Sequence, residues 1–273
     1  MYFKINSSVK STTNVSKNKE YKIKTNNPMT SLVKKELNRF INSPVFVVNA
    51  AFGLVLFVVI CIAICVKFDG LSEVLLTKGI EITVEQMRQF VPAILFALIG
   101  MASFMSSITS SMISLEGKSF NILKSLPIKP STIIVSKVLA AVVIMIPFIL
   151  IGDIIFFVQF NFSILEIVEI LVASVLLPLI AETIGILVNL KYPKMDAEND
   201  TEVVKQSMSS MIAVFMGMGL TGITVFLIVV AMINKISTDV TISIGLAIYL
   251  IVYLLLRLYL NKSSVKDFNK INV

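Results

Sequence analysis

Three groups of residues in this chain have the type or spacing for chemistry, and each meets a specific objection. Gly117-Lys118-Ser119 looks like the end of a phosphate-binding loop. Such a loop needs a second glycine five positions earlier, so that backbone N–H groups can wrap the phosphates, and Met112 stands there. Cys61 and Cys65 share one helical face, but this spacing disfavours a disulfide and no third metal ligand is near, so they read as small apolar packing residues. The chain has no histidine, which removes most metal sites and any nucleophile that relies on an imidazole base. No metal or other cofactor is expected.

Glu182 and Asp153 remain, each inside a long apolar run. A carboxylate at mid-membrane costs about 2.5 to 3.5 kcal/mol on insertion scales, so each needs a partner or a function. Glu182 is nine residues from Lys191, roughly 14 Å along a helix, while Asp153 is sixteen residues beyond Lys137 and nearer the far side. The depth mismatch of about 10 Å argues against an acid pair sharing one proton. Asp153 also lacks the earlier glycine of the Gly-x-Gly-Asp intramembrane proteases, since Leu150 occupies that position. A place on a translocation path is the functional reading of both acids; hydrogen-bonded packing for Glu182 and an interfacial position for Asp153 are the plainer ones.

The elements that position these residues follow from composition. With 56% hydrophobic and 15% charged residues and a mean hydropathy of +0.89, the 273-residue chain falls outside the soluble class. A membrane helix needs about 20 apolar residues to cross about 30 Å of hydrocarbon. Six runs qualify: Val45 to Val66, Val91 to Ile113, Val138 to Val158, Ile164 to Leu190, Met208 to Ile233 and Val240 to Leu260. The expected fold is therefore an all-α polytopic membrane helix bundle with about six transmembrane helices.

Lysine and arginine resist translocation, and 20 of the 24 fall in segments that lie on one side if both termini are cytoplasmic. The net charge of +7 is then topogenic, and nucleic acid is not an expected partner. Residues 1–28 read as a disordered cytoplasmic tail, 29–43 as an amphipathic interface helix, 44–260 as the six-span domain and 261–273 as a second cytoplasmic tail. In the interface helix Val33, Leu37, Phe40 and Ile41 share a face, Lys34, Lys35, Glu36 and Arg39 another, and Ser31 is the expected cap. The outer segment 68–90 carries no assignable chemistry. Span two has Ser103, Ser107 and Ser111 along one edge with Ser106, Ser110 and Ser114 beside them, and span five has Ala213, Gly217 and Thr221 with Gly219 and Gly222. Such residues permit close helix packing, with a polar path lining as the alternative.

Between spans two and three, "LEGKSFNILKSLPIKP" has helical spacing: Leu115, Phe120, Leu123 and Leu126 are apolar, Glu116, Lys118 and Lys124 polar, and Pro127 ends it. Its apolar side needs either the membrane surface or a protein partner.

The stretch Ser114 to Lys137 resembles the cytoplasmic loop of ABC exporter permeases of the second exporter type. "NLKYPKMDAENDTEVVKQSMS" is similar to the second cytoplasmic loop of a clostridial and bacillar branch, and "LVKKELNRFINSPVFVVNAAFG" to the approach to its first span. Longer members carry a further membrane half ahead of these motifs, so the chain resembles their C-terminal half. The resemblance implies an ABC ATPase subunit docking on Glu116, Gly117, Phe120, Leu123, Lys124 and Leu126. In the second loop it marks Asn189, Pro193, Lys194, Glu198, Asn199, Lys205 and Gln206. It also implies a second permease copy or a different half as partner, a bacterial cytoplasmic membrane as location, and no enzymatic activity in this chain. A secondary transporter or channel subunit is the alternative, and would call for buried charges or broken helices.

Overall fold

The computed structural model describes residues 27–77 and 84–271. All but two residues of the expected N-terminal tail, and part of the outer segment, lie outside the described residues.

Helix α1, Pro28–Asn42, begins earlier than the sequence predicts. Asn27, not Ser31, is its cap: the Asn27 side chain accepts from the Met29 backbone N–H at 3.1 Å, and Pro28 occupies a first-turn position where its missing N–H costs nothing. Ser43 breaks the chain with extended backbone before α2, Pro44–Thr77, so α1 is a separate helix. Leu32, Glu36 and Phe40, at i, i+4 and i+8, are the buried positions of α1. Ile41 is exposed, contrary to the expectation that it shares a buried side with Phe40.

The other spans follow. After the short α3, Val84–Gln89, come α4, Val91–Ser106, and α5, Thr109–Met112. A 3-10 turn over Ser114–Ser119 leads to α6, Phe120–Ser125. Helix α7 covers Pro130–Gln159 and α8 covers Ile164–Lys191. Next are α9, Asp200–Gln206, α10, Met208–Ile233, and α11, Thr238–Tyr259. A π-helical turn, Leu260–Ser264, joins α11 to α12, Val265–Lys270. Six helices are long and apolar enough to cross a membrane, and no strand occurs among the described residues.

Helix α7 starts eight residues before the expected Val138, because Pro130 is well suited to a first turn and the intervening Lys137 finds buried partners. Helix α8 opens with a capping box: Ser163 Oγ accepts from the Glu166 N–H at 3.2 Å, and Glu166 Oε2 accepts from the Ser163 N–H at 2.7 Å. It is the central element, packed against α4, α5, α7, α10 and α11. Helices α10 and α11 are peripheral and expose large apolar side chains such as Phe215, Phe226 and Leu255, as expected for surfaces that face lipid or another chain. The segment α12 is no free tail: it folds back so that Phe268 is buried against Phe120. Helices α1, α6, α9 and α12 thus gather at one end of the bundle, here termed the basic face.

Candidate functional site

The second span is not one helix. Helix α4 ends at Ser106, Ser107 takes φ +21° and ψ +58°, and the chain resumes as α5. A break at membrane depth frees backbone N–H groups that no water can satisfy, so it survives only inside protein and only when capped.

Glu182 is the cap. The backbone N–H groups of Ile108 and Thr109 donate to its Oε1 and Oε2 at 3.0 and 2.7 Å, and Thr109 Oγ1 donates to its backbone carbonyl at 2.6 Å. One turn on, Gly185 lets the segments meet: a Cβ there would lie 2.5 Å from Thr109 Oγ1 and 2.9 Å from Ser107 Oγ. A further turn along, Asn189 Oδ1 accepts from the Ile113 and Ser114 N–H groups at 2.7 and 3.2 Å. Its Nδ2 donates to Ser114 Oγ and Ser209 Oγ at 2.7 and 3.0 Å. The stripe Glu182, Gly185, Asn189 on α8 is therefore a template on which the broken span is laid.

The serines of span two continue this seam. Ser209 Oγ donates to the Ser110 carbonyl at 2.8 Å, Ser110 Oγ donates to the Ser107 carbonyl at 2.6 Å, and Ser110 and Ser210 hydroxyls are 3.2 Å apart. Small residues of span five divide between two faces. Gly217 meets Phe104 of α4, whereas Gly219 and Gly222 have open space where a side chain would be.

At the basic face a five-charge cluster ties three elements together. Lys137, wholly buried on α7, reaches Glu36 Oε1 of α1 at 2.7 Å and Glu116 Oε1 of the 3-10 turn at 2.6 Å. Lys35 and Arg39 add bonds to Glu116 at 2.8 and 2.9 Å. In the expected amphipathic interface helix, Lys35 and Arg39 thus turn to Glu116. The sequence places Glu36 only on the polar face of α1 and Lys137 only at a span boundary, and suggests no pairing between them. The only available signal was Glu36 at helical spacing between Leu32 and Phe40.

The loop residues marked by the resemblance fall into two sets. Glu116 is internal, Gly117 supplies φ +50°, and Phe120 and Leu123 are buried. Lys124 Nζ donates to the carbonyls of Asn269 and Ile271 at 3.0 and 2.8 Å. The apolar side expected to require a membrane or a partner is instead covered within the chain, by α12 and by the starts of α1 and α7. Leu126 is exposed, together with Lys118, Ile122 and Ser125, which the family motif did not pick out.

In the second loop, Lys194 N–H donates to Ser114 Oγ at 2.9 Å and its ammonium pairs with Glu202. Glu198 N–H donates to Glu202 Oε2 at 3.1 Å, and Asn199 caps α9 through the Glu202 N–H at 3.0 Å. Asp200 accepts from Ser43 Oγ at 2.5 Å, joining this loop to the α1–α2 junction. Pro193 is partly buried, Gln206 is exposed, and Lys205 lies on α9.

Asp153 is not brought to Glu182. It is buried between α7 and α8, where Ser174 Oγ donates to Oδ2 at 2.7 Å and Oδ1 has no partner. Asp153 is thus enclosed within the bundle. Cys61 and Cys65 are free thiols.

Six spanning helices, with the second broken and capped by buried side chains of the fourth, define a polytopic α-helical membrane protein. The chain belongs to the family described as "Membrane protein of 12 TMs", whose model matches residues 1–263. No curated protein and no solved structure matches it.

Proposed function

We propose that this chain is the permease subunit of an ATP-driven exporter, energised by a separate ABC ATPase that docks on the loop 114–130. The observation that carries the reading is the way this loop is held. Glu116 and Phe120 anchor it from within, so that α6 is a fixed, short helix whose outer side presents Ile122 and Ser125, flanked by exposed Lys118 and Leu126. A rigid helix with an exposed apolar anchor suits a groove in a partner, and Ile122, 68% exposed, is the residue to fill it. The loop is continuous through Glu116 with α1 and α7, and through Ser114 with Asn189 and Lys194. A push on it therefore reaches the broken span.

In this reading the basic face is cytoplasmic and the membrane is a bacterial cytoplasmic one. A second permease copy or a different half packs on α10 and α11, whose apolar and small-residue surface is open, and the twelve spans in the family's description fit a twelve-span assembly. The chain itself is not an enzyme. The test is affinity purification of the full chain from native membranes. Wild type is expected to bring down an ATPase subunit, and Ile122→Glu with Leu126→Glu to lose it while still inserting. Retention of the ATPase at unchanged stoichiometry rejects the docking surface.

The capped break in the second span supports a second reading, a secondary transporter or channel, since half-helices are common at their binding sites. Transport that persists without ATP but collapses with the ion gradient selects it.

A further inference from the structure

A cleft of about 420 Å³ lies between α2, the break in the second span and the start of α10. Its walls are of two kinds. One is polar: Asn49, Ser106, Ser107, Ser110, Ser111 and Ser210. The other is apolar, with Phe52 and Phe215, both about two-thirds exposed, and Met211 toward the rim. Among the described residues, no lysine, arginine, aspartate or glutamate lines it. Ser106, 3% exposed, has a hydroxyl with no hydrogen-bond partner. That hydroxyl is close enough to α2 that a Cβ on Gly53, also a lining residue, would sit 3.0 Å from it.

We propose that this cleft binds an uncharged amphiphile, its hydroxyl or amide end on the serines and Asn49 and its apolar body along Phe52, Met211 and Phe215. The chemistry of the walls selects this class. A charged headgroup would lie there with no countercharge among the described lining residues, at a cost that hydroxyls alone do not offset. A purely apolar ligand would leave Ser106 Oγ buried and unsatisfied. Serine hydroxyls rotate to donate or accept, so they suit a neutral group that does both. The aromatic rim is exposed on the outside of the bundle, which gives an amphiphile a lateral way in, and the volume lies in the ordinary range for small-molecule sites. The proposal rests on the permease reading for the idea that the bound molecule is cargo; the source of the amphiphile, membrane lipid or cell-made product, shares this chemistry.

The test uses the full chain in zwitterionic nanodiscs with a fluorescent monoacylglycerol as probe. Unlabelled monoacylglycerol is compared with an alkyltrimethylammonium and an alkyl sulfate of the same chain length as competitors. The neutral competitor is expected to displace the probe at least about tenfold better than either charged one. Asn49→Leu with Ser106→Ala, and separately Gly53→Ala, which fills the cleft without removing a hydroxyl, are each expected to weaken probe binding about tenfold, with elution profile and melting temperature as checks on folding. Competition by the charged analogues at equal strength, or unchanged affinity in all folded variants, overturns the proposal and leaves the cleft as a nonspecific lipid seat. Binding needs no ATPase. An absent probe signal beside normal ATPase capture therefore rejects only the cleft, and normal probe binding with no ATPase in any preparation rejects only the exporter reading.

Discussion

Glu182 does the work that a helix cap does in water, but within an apolar interior where an orphaned N–H has no substitute partner. Glu182→Gln keeps one acceptor oxygen and turns an NH2 toward the other donor; Glu182→Leu leaves both donors bare. Each unsatisfied donor costs about 1–3 kcal/mol, so thermal unfolding in detergent should rank wild type above Gln and Gln above Leu. A Leu variant as stable as wild type removes the cap from the account. Lys137 makes the complementary case. Lys137→Met takes the close ammonium from buried Glu36, while Glu116 keeps Lys35 and Arg39, and should cost about 3–5 kcal/mol, with Lys137→Met combined with Glu36→Met recovering part of the loss. Additive losses in that double variant would show that the two side chains do not act as a pair.

The six long helices were legible because membrane thickness dictates the length of an apolar run, and no other feature of the chain mimics that length. Helix ends were less so. Lys137 reads as a span boundary in sequence, and only the folded chain supplies the carboxylates that let it sit inside. The break in the second span was hidden because its left-handed residue is Ser107, not a glycine or asparagine that would have announced a turn. Glu182 was legible as a residue needing a partner, though not as a cap, since its donors are more than seventy positions away. The loop helix α6 was found from spacing, but its cover, α12, had been read as a tail. That packing gives a prediction at the same scale: Phe268→Ala opens the Phe120 contact, and amide exchange over 120–126 should accelerate while the spans stay protected. Unchanged exchange there means that α12 does not hold the loop.

For the whole molecule, the distribution of basic residues predicts that α6 and the turn joining α10 to α11 lie on opposite sides of the membrane. Single cysteines at Ser125 and Ser237, both exposed, test it in intact cells. A membrane-impermeant thiol reagent should label position 237 and spare 125, and labelling of 125 alone inverts the orientation. Native Cys61 is buried and Cys65 partly so, which keeps the background low. The two loops at the basic face differ in one further respect. The bonds of Lys137 are sealed from solvent, whereas Lys194 and Glu202 are each about 30% exposed. At about 1 M salt the Debye length falls to about 3 Å, which screens the second pair and leaves the first untouched. Ionic strength is thus a handle that slackens the second loop's pair together with the outer Lys35 and Arg39 bonds to Glu116, and leaves the two bonds of Lys137 as the linkage that a high-salt wash does not reach.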